Sequence, residues 1–264
     1  MPASGGSQTV ARAFEVLSCF KSGPSSLGLT EISRRVGLST TIVHRLLRSL
    51  VDAGFLEQDE RTSRYHLGVG LASLAEVFLR QRRLDLAEPE LRRLSDEAGG
   101  SAGLAMRDGR DALILVYAPS TAPGAGQERP RRVPLHLSAM GKVLLAFGDP
   151  DDSGGLEALA PLATPTERSI ASVPELRRAL DRIREQGYAV SDRETAPDQL
   201  TVAIPIFDEA GRIYLALGMR LRWSPEEEAR IDEVRKMLER SRDRLHEVLV
   251  PRLEPAPPAV NGKG

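Results

Sequence analysis

The stretch Leu29-Thr-Glu-Ile-Ser-Arg-Arg-Val-Gly-Leu-Ser-Thr-Thr-Ile-Val-His-Arg-Leu-Leu-Arg-Ser-Leu50 decides the fold of the N-terminal part. It reads as two short helices meeting at Gly37, a residue that accepts the left-handed backbone of a tight helix stop. Thr30 is placed to cap the first helix and Ser39 the second, each hydroxyl accepting an N–H of the opening turn. In the second helix Val43, Leu46, Leu47 and Leu50 recur at i, i+3, i+4 and i+7, which makes one stripe for burial. Ser39 and Thr40 open that helix, and Thr41, His44, Arg45 and Arg48 lie toward its other side.

From Ile32 to Leu50 there are four arginines and no acidic residue, so this surface meets phosphates without repulsion. Gly54 ends the helix. Phe55–Gln58 and Tyr65–Leu67 then read as short strands, with Arg61-Thr-Ser-Arg64 at the hairpin tip. Arginines at such a tip, Arg61 and Arg64 here, suit phosphate or minor-groove contacts. A capped helix, a glycine turn, a two-faced second helix and an arginine-tipped hairpin, in that order, predict a winged helix-turn-helix that binds double-stranded DNA.

Upstream, Val10, Phe14, Leu17 and Cys19/Phe20 predict a supporting helix over Val10–Phe20, broken by Lys21–Ser26. Downstream, Leu67, Leu71, Leu74, Ala75, Phe78 and Leu79 keep helical spacing to Gln81, a linker helix. Its stripe Leu71, Leu74, Phe78 is too apolar to stand in water, and a second copy of the chain would bury it, so a homodimer is expected.

Beyond this the pattern changes. A helix over Pro89–Ala98 gives way to strands Ser101–Met106 and Ala112–Tyr117 about an Asp108-Gly109 turn. Pro119–Arg132 reads as a mobile loop and Ala139–Phe147 as a helix. Ser172-Val-Pro-Glu175 looks like a capping box opening a helix that Gly187 ends. Thr201–Phe207 and Ile213–Leu221 are the clearest strands, and Ser224-Pro-Glu-Glu227 launches a long helix with Ile231, Val234, Leu238, Leu245 and Val248 on one face. Without regular βαβ alternation this half is α+β. The expected division is a disordered start at 1–8, the winged domain at 9–69 with its helix-turn-helix at about 28–50, the linker helix at 70–86, a second domain at 87–251 and a disordered tail at 252–264.

Composition agrees with two domains of different partners. The 264 residues carry a net charge of −1, but residues 1–83 hold 11 Lys/Arg against 7 Asp/Glu and the rest 25 against 30, or +4 and −5. Cys19 is the only cysteine, which excludes an intramolecular disulfide framework and a thiolate metal cluster. No apolar run reaches the ~20 residues of a membrane helix and no leader is expected, so the chain is read as soluble and cytoplasmic.

Enzyme readings fare worse. Ser138-Ala-Met-Gly-Lys142 lacks the spaced glycines and following hydroxyl of a phosphate loop, and His44, His66, His136 and His246 show no ligand spacing. Gly-x-Ser-x-Gly is absent. Cys19 is taken as a small buried thiol, and Asp192 and Glu194 about Arg193 as solvated surface. No catalytic residue, metal or cofactor is therefore expected. A DNA-tethered enzyme is kept as the alternative of another class, and a purely interacting winged-helix module as a third.

Five segments, Gly37-Leu-Ser-Thr-Thr-Ile-Val-His-Arg-Leu-Leu47, Arg64-Tyr-His-Leu-Gly68, Pro134-Leu-His-Leu-Ser-Ala-Met-Gly-Lys142, Arg182-Ile-Arg-Glu-Gln-Gly-Tyr-Ala-Val190 and Val202-Ala-Ile-Pro-Ile-Phe-Asp208, stand in order along the chain. With them, Thr9 to Arg252 resembles the IclR family of bacterial transcription regulators. The resemblance implies a winged-helix domain, a linker helix used in dimer contacts, and a GAF-like α+β domain binding a small effector. It further implies dimers or dimer pairs on palindromic or near-palindromic operators, repression of catabolic or metabolic genes as the expected direction with activation as the alternative, and small organic or aromatic acids as effectors. On the same basis the effector falls to Ala139, Met140, Ser191, Thr201, Gly218 and Arg220. The last four stand where the family often has an acidic residue, a cysteine and two serines, so the pocket's chemistry differs.

Along Ile213–Arg222 the side chains alternate, with Ile213, Leu215, Leu217, Met219 and Leu221 on one face and Tyr214, Ala216, Gly218, Arg220 and Arg222 on the other. Two readings of the second face stand open. In the commoner case it is the sheet's solvent side and Arg220 extends into water. In the other, small residues line a cavity, and a buried guanidinium there calls for a carboxylate.

Overall fold

The computed structural model describes residues 5–21, 23–121, 132–149 and 155–249, and the chain divides into two compact units, Met1–Gln81 and Arg82–Gly264. The first unit contains α1 (Gly5–Ser18), α2 (Leu29–Val36), α3 (Thr40–Asp52), β1 (Leu56–Gln58), β2 (Tyr65–Leu67) and α4 (Val69–Gln81). Gly37 takes a left-handed φ of 67° between α2 and α3, and Ser39 Oγ accepts from Ile42 N at 3.5 Å. Val43, Leu46, Leu47 and Leu50 are buried with Val16, Leu27, Ile32, Leu56 and Tyr65 in one core. β1 and β2 pair antiparallel, and Leu27 adds a bridge to Tyr65 with hydrogen bonds of 3.0 and 2.9 Å.

Three expectations for this unit are corrected. Thr30 does not cap α2. Helical geometry begins one residue earlier, at Leu29, behind an extended Gly28, and the longer carboxylate of Glu31 reaches back to accept from Gly28 N at 2.7 Å. α1 starts at Gly5, so residues 5–8 are helical rather than disordered, while residues 1–4 lie outside the described residues. The helix carries two apolar stripes, and the core takes the one containing Ala13, Val16, Leu17 and Phe20. Val10 and Phe14 are left 56% and 63% exposed, and Cys19 is half-buried. α4 has no buried residue, and Leu74 and Phe78 are exposed with Leu71 half-buried. It ends at Gln81 rather than 86: Arg83 turns to φ 52°, and Leu84–Ala87 form one 3₁₀ turn.

The second unit contains α5 (Glu88–Ala98), β3 (Ser101–Asp108), β4 (Asp111–Ala118), β5 (Arg132–Pro134), α6 (Ala139–Phe147), α7 (Val173–Gln186), β6 (Ala189–Asp192), β7 (Gln199–Phe207), β8 (Ile213–Arg222), α8 (Pro225–Ala229) and α9 (Ile231–Leu249). The strands form one antiparallel sheet in the order β5-β4-β3-β8-β7-β6, an α+β arrangement. α5 and α9 pack on one face, against large side chains such as Leu104, Val202, Leu217 and Met219. On the other face lie α6 and α7, over Ala105, Ala112, Ala189, Ala203 and Ala216.

Four details differ from expectation. The sheet is buried on both faces along Leu215–Met219, so the face of Ala216 and Gly218 is not a solvent side. The edge strands β5 and β6, three and four residues long, were not anticipated because neither is long enough to show alternation. The helix launched at Ser224 breaks at Arg230 into α8 and α9. Val234, Leu238 and Leu245 are buried as expected, joined by Met237, Ser241 and Leu249, while Ile231 and Val248 are half-buried. At Ser172 the capping hydroxyl accepts from Glu175 N at 3.3 Å, but Glu175 reaches back to Ala171 N at 3.2 Å rather than to the cap itself. Most of the loop read at 119–132, namely 122–131, and the tail at 252–264 lie outside the described residues. Among those residues no helix is long and apolar enough to cross a membrane.

α5 and α9 are tied by charge as well as by packing. Glu90 accepts from Arg93 at 2.7 Å and from Arg244 of α9 at 3.2 Å, and Arg93 also donates to Ser241 Oγ at 3.1 Å. Burial alone would raise the Glu90 pKa, but hydrogen bonds from Arg93, Ser241 and Arg244 outweigh it and hold the group at about 2, below its ordinary 4.5. The stability it contributes is therefore complete above pH 4.5 and is lost as pH falls toward 2. Glu90→Gln is expected to lower the melting temperature at neutral pH by about 3 °C. In calorimetry the variant should lose less further stability than the parent on acidification through that window; identical acid profiles would contradict the assignment.

Candidate functional site

The first unit presents a polar, basic helix face. Ser39, Thr40, Thr41, His44, Arg45 and Arg48 are all exposed, opposite the buried stripe of α3. The helix start is unobstructed by acid, as α3 has none in its first turn. A helix of 13 residues with short polar groups at its N-terminus and arginines on one side matches the shape and donor pattern of a major groove.

The wing departs from expectation at Arg64. Asp59 Oδ1 accepts from Arg61 N and Thr62 N, both at 2.8 Å, which folds the tip, and Arg61 stands exposed there. Arg64 instead turns back toward α2. Its guanidinium donates to Ser26 Oγ at 2.9 Å, to Ser26 O at 2.8 Å and to Glu31 Oε2 at 2.8 Å. The same Glu31 oxygen caps α2. Arg64 is a strut joining β2 to the start of the helix-turn-helix, with Nε and Nη2 engaged there.

In the second unit a cavity of about 430 Å³ opens at the end of the sheet beside α6. Three strands supply a row of facing residues, Ser101–Arg220–Thr201, and the next row is Gly103–Gly218–Ala203. Gly218 is required by packing, since a Cβ there would lie 2.6 Å from Met140 Cγ. A bulge between Leu104 and Ala105 shifts the register of β4, so Ile114 and Tyr117, three apart, both line the cavity. Ser138 caps α6, accepting from Gly141 N at 2.9 Å, and both Ser138 and Met140 line the wall. Thr195, Ala196 and Gln199 complete the lining, with Thr195 Oγ1 within 3.5 Å of Leu137 O beside the start of α6. Among the described lining residues Arg220 alone carries a charge, and its Nη2 donates to Tyr117 Oη at 2.8 Å.

Comparison with known proteins decides the family. The model described as the IclR helix-turn-helix domain matches residues 9–60, and that described as the bacterial transcriptional regulator IclR C-terminal domain matches 79–245. The chain belongs to the IclR family. It is 30% identical over 241 residues to the HTH-type transcriptional regulator XynR of Escherichia coli K12, covering 89% of this chain and 94% of that protein. A putative IclR transcriptional regulator from a Silicibacter species superposes with a TM-score of 0.80 at 25% identity, covering 94% of this chain and all of that one. An IclR homologue from Microbacterium hydrocarbonoxydans, crystallised with 4-hydroxybenzoate, shares the fold with a TM-score of 0.68 at 23% identity, covering 90% and 99%. This IclR-family protein is a helix-turn-helix transcriptional regulator, and the family's members are regulators rather than enzymes.

Of the six effector residues drawn from the resemblance, Met140, Thr201, Gly218 and Arg220 line the cavity of this regulator. Ala139 and Ser191 do not. Ala139, the first residue of α6, is sealed in the core, and the Ser191 hydroxyl is buried, donating to Leu137 O at 2.7 Å. Sequence reasoning missed Ser101, Ile114, Tyr117, Ser138, Thr195 and Gln199. Strand register from Arg220 would have found Ser101, and the Ser138 cap was legible as a hydroxyl before an apolar helix, whereas the β4 bulge leaves no sequence signal. The expected surface acids also differ. Asp192 holds Arg168 and Arg193, but Glu194 is buried against Lys142 at 2.5 Å. Desolvation pushes the Lys142 pKa down and that of Glu194 up, each partly countered by the other.

The wing geometry separates two arginines that look alike in sequence. Arg61→Ala should reduce the salt dependence of DNA binding by about one phosphate contact. Arg64→Met should leave that slope unchanged while lowering the melting temperature of the N-terminal unit. Fluorescence anisotropy against salt, with thermal melts of both variants, checks this; a shallower slope for Arg64→Met would show a phosphate contact instead.

Proposed function

We propose that this regulator is a cytoplasmic homodimer that represses metabolic genes by seating α3 of each copy in the major groove of a near-palindromic operator, under control of a small carboxylic acid. Ser39, Thr40, Thr41, His44, Arg45 and Arg48 form the reading surface, with Arg61 on the backbone. The exposed apolar positions Leu74 and Phe78 of α4, with half-buried Leu71, support a second copy as partner. Repression is the simpler outcome, because a dimer across a promoter excludes polymerase without touching it.

The observation that carries the effector class is Arg220, the one charged side chain among the described residues that line the cavity. A volume of about 430 Å³ suits a compact acid. Its carboxylate would form a charge-assisted bond with Arg220, its body would lie on Ile114, Val133 and Met140, and Ser101, Thr195, Gln199 and Thr201 offer further hydrogen bonds. The Microbacterium homologue's 4-hydroxybenzoate, an acid with one further polar group, is a ligand of this kind. Control then follows from linkage: only an acid that binds one state of the protein better than the other changes the DNA equilibrium.

Two measurements test the reading. Arg45→Ala and Arg48→Ala should each weaken operator binding by about 1–3 kcal/mol if bonded to a base, with unchanged melting. The parent's footprint should cover two half-sites and its sedimentation should be dimeric. Parental affinity in both variants, or a monomer on DNA, would overturn this part. Calorimetric titration of a carboxylic acid panel and the matching amides should show acids binding the parent and failing with Arg220→Met. A neutral ligand that binds both proteins equally would overturn the acid assignment.

A further inference from the structure

The two walls of the cavity are tied to each other from behind. Ser138 and Met140 sit at the start of α6, and Thr195 and Ala196 in the loop of residues 193–198 between β6 and β7. Four side-chain bonds join the chain around α6 to the β6 side: Ser191 Oγ to Leu137 O at 2.7 Å, Thr195 Oγ1 to Leu137 O at 3.5 Å, Lys142 Nζ to Val190 O at 2.7 Å, and Lys142 Nζ to Glu194 Oε1 at 2.5 Å. The last is the only ion pair of the four. Lys142 lies one helical turn beyond Ser138, and Glu194 directly precedes Thr195. The side chains of Lys142 and Glu194 are 3% and 12% exposed, and neither lines the cavity.

Stability alone does not account for this pair. A buried ion pair gains little over apolar side chains of the same volume, because desolvation offsets the attraction. This one is also imperfect, as Glu194 Oε2 is buried without a hydrogen-bond partner. The same loop holds a second departure from relaxed geometry, a left-handed φ of 57° at Arg193, whose guanidinium stacks 3.8 Å from the ring centroid of Trp223. Costly local arrangements of this sort gather where a site must be held in one shape. A charged bond is short and directional where an apolar contact slides, so it fixes separation as well as adhesion.

We infer that Lys142 and Glu194 are positioning residues of the effector site, a buried clasp that sets the distance between the α6 wall and the 193–198 wall without touching the ligand. The inference rests on the reading of this cavity as the effector site. With the clasp intact Thr195 and Ala196 are held beside Ser138 and Met140; with it removed the loop loses its one charged tie to α6 and keeps neutral ones, among them Thr195 Oγ1 to Leu137 O at 3.5 Å, Thr166 Oγ1 to Arg193 O and Ser169 Oγ to Glu194 O, each 2.8 Å, and Trp223 N to Asp198 O at 2.7 Å.

The test uses the full-length protein and the double substitution Lys142→Met with Glu194→Leu. Either single change leaves one charge buried and unpaired and should lower the melting temperature; the double change removes both charges and should recover most of it. Hydrogen exchange is then read at matched global stability. A positioning role gives amides of residues 193–199 in the double variant an exchange about tenfold faster or more, with the amides of α9 and α3 unchanged. The chain's single tryptophan, Trp223, should become more accessible to acrylamide at the same time. A double variant that melts like the parent and shows parental exchange at 193–199 would overturn the inference, since the pair would then serve packing alone. For function, 4-hydroxybenzoate and benzoate are titrated into parent, double variant and Arg220→Met. Binding to the parent that is lost in Arg220→Met but kept in the double variant also overturns it. If neither acid binds the parent, the effector reading is at fault, and the exchange data still decide whether the clasp sets the wall.

Discussion

How closely α6 can approach the sheet is the constraint on which the cavity of the second unit depends. Gly218 stands where any Cβ would strike Met140, and Ala105, Ala203 and Ala216 keep the neighbouring positions small. The helix therefore sits low over the row Gly103–Gly218–Ala203, and its cap Ser138 lines the cavity together with the next row, Ser101–Arg220–Thr201. A cavity results where the cover ends. Larger residues on the first row would lift α6 and merge this space with solvent, while a longer helix would fill it. The small residues that looked in sequence like a cavity lining are thus mostly the seat of a helix, and the cavity is the gap beyond it.

Legibility followed periodicity and capping. The α3 stripe of Val43, Leu46, Leu47 and Leu50 was evident because burial, spacing and an N-cap agree locally, and Gly37 and Gly187 ended their helices as their freedom of backbone allows. What escaped depends on partners distant in sequence. Nothing near Arg64 shows that Ser26 and Glu31 will take its donors, since the closing contacts span 38 and 33 residues. Nothing near Glu194 shows that Lys142 lies across from it. The bulge in β4, which brings Ile114 and Tyr117 to one face, is a property of how β3 and β4 pair and not of either strand. Alternation along β8 was read correctly, but alternation does not reveal whether one or both faces are covered, so the commoner assignment of Arg220 to water failed.

In the winged unit the sequence did not show that Arg64 joins β2 to the start of the helix-turn-helix. Glu31 serves two ends at once, holding Gly28 N at the cap of α2 and Arg64 from β2, and these bonds, with Gly28's, pull its carboxyl below the usual range. A wing free to swing would lose orientational entropy on docking, whereas a wing braced against the helix-turn-helix would present Arg61, on the proposed reading, already in place.

On the proposed reading of the cavity, Arg220 makes the acid form of a ligand matter more than its size. Without a ligand the guanidinium is not bare, since Tyr117 Oη accepts from it at 2.8 Å and the ring lies 5.9 Å from its centre. A neutral ligand that reaches Arg220 replaces one neutral acceptor by another and gains little. A carboxylate replaces a phenol with a charged acceptor that can take two donors at once, roughly doubling the strength of the bond. Tyr117 belongs to β4, so an acid that took its place on Arg220 would move a side chain on a strand at the cavity edge rather than only fill space. That is the difference between a ligand that is merely bound and one that favours a particular arrangement of this domain, which linkage requires of any effector able to change the hold on DNA.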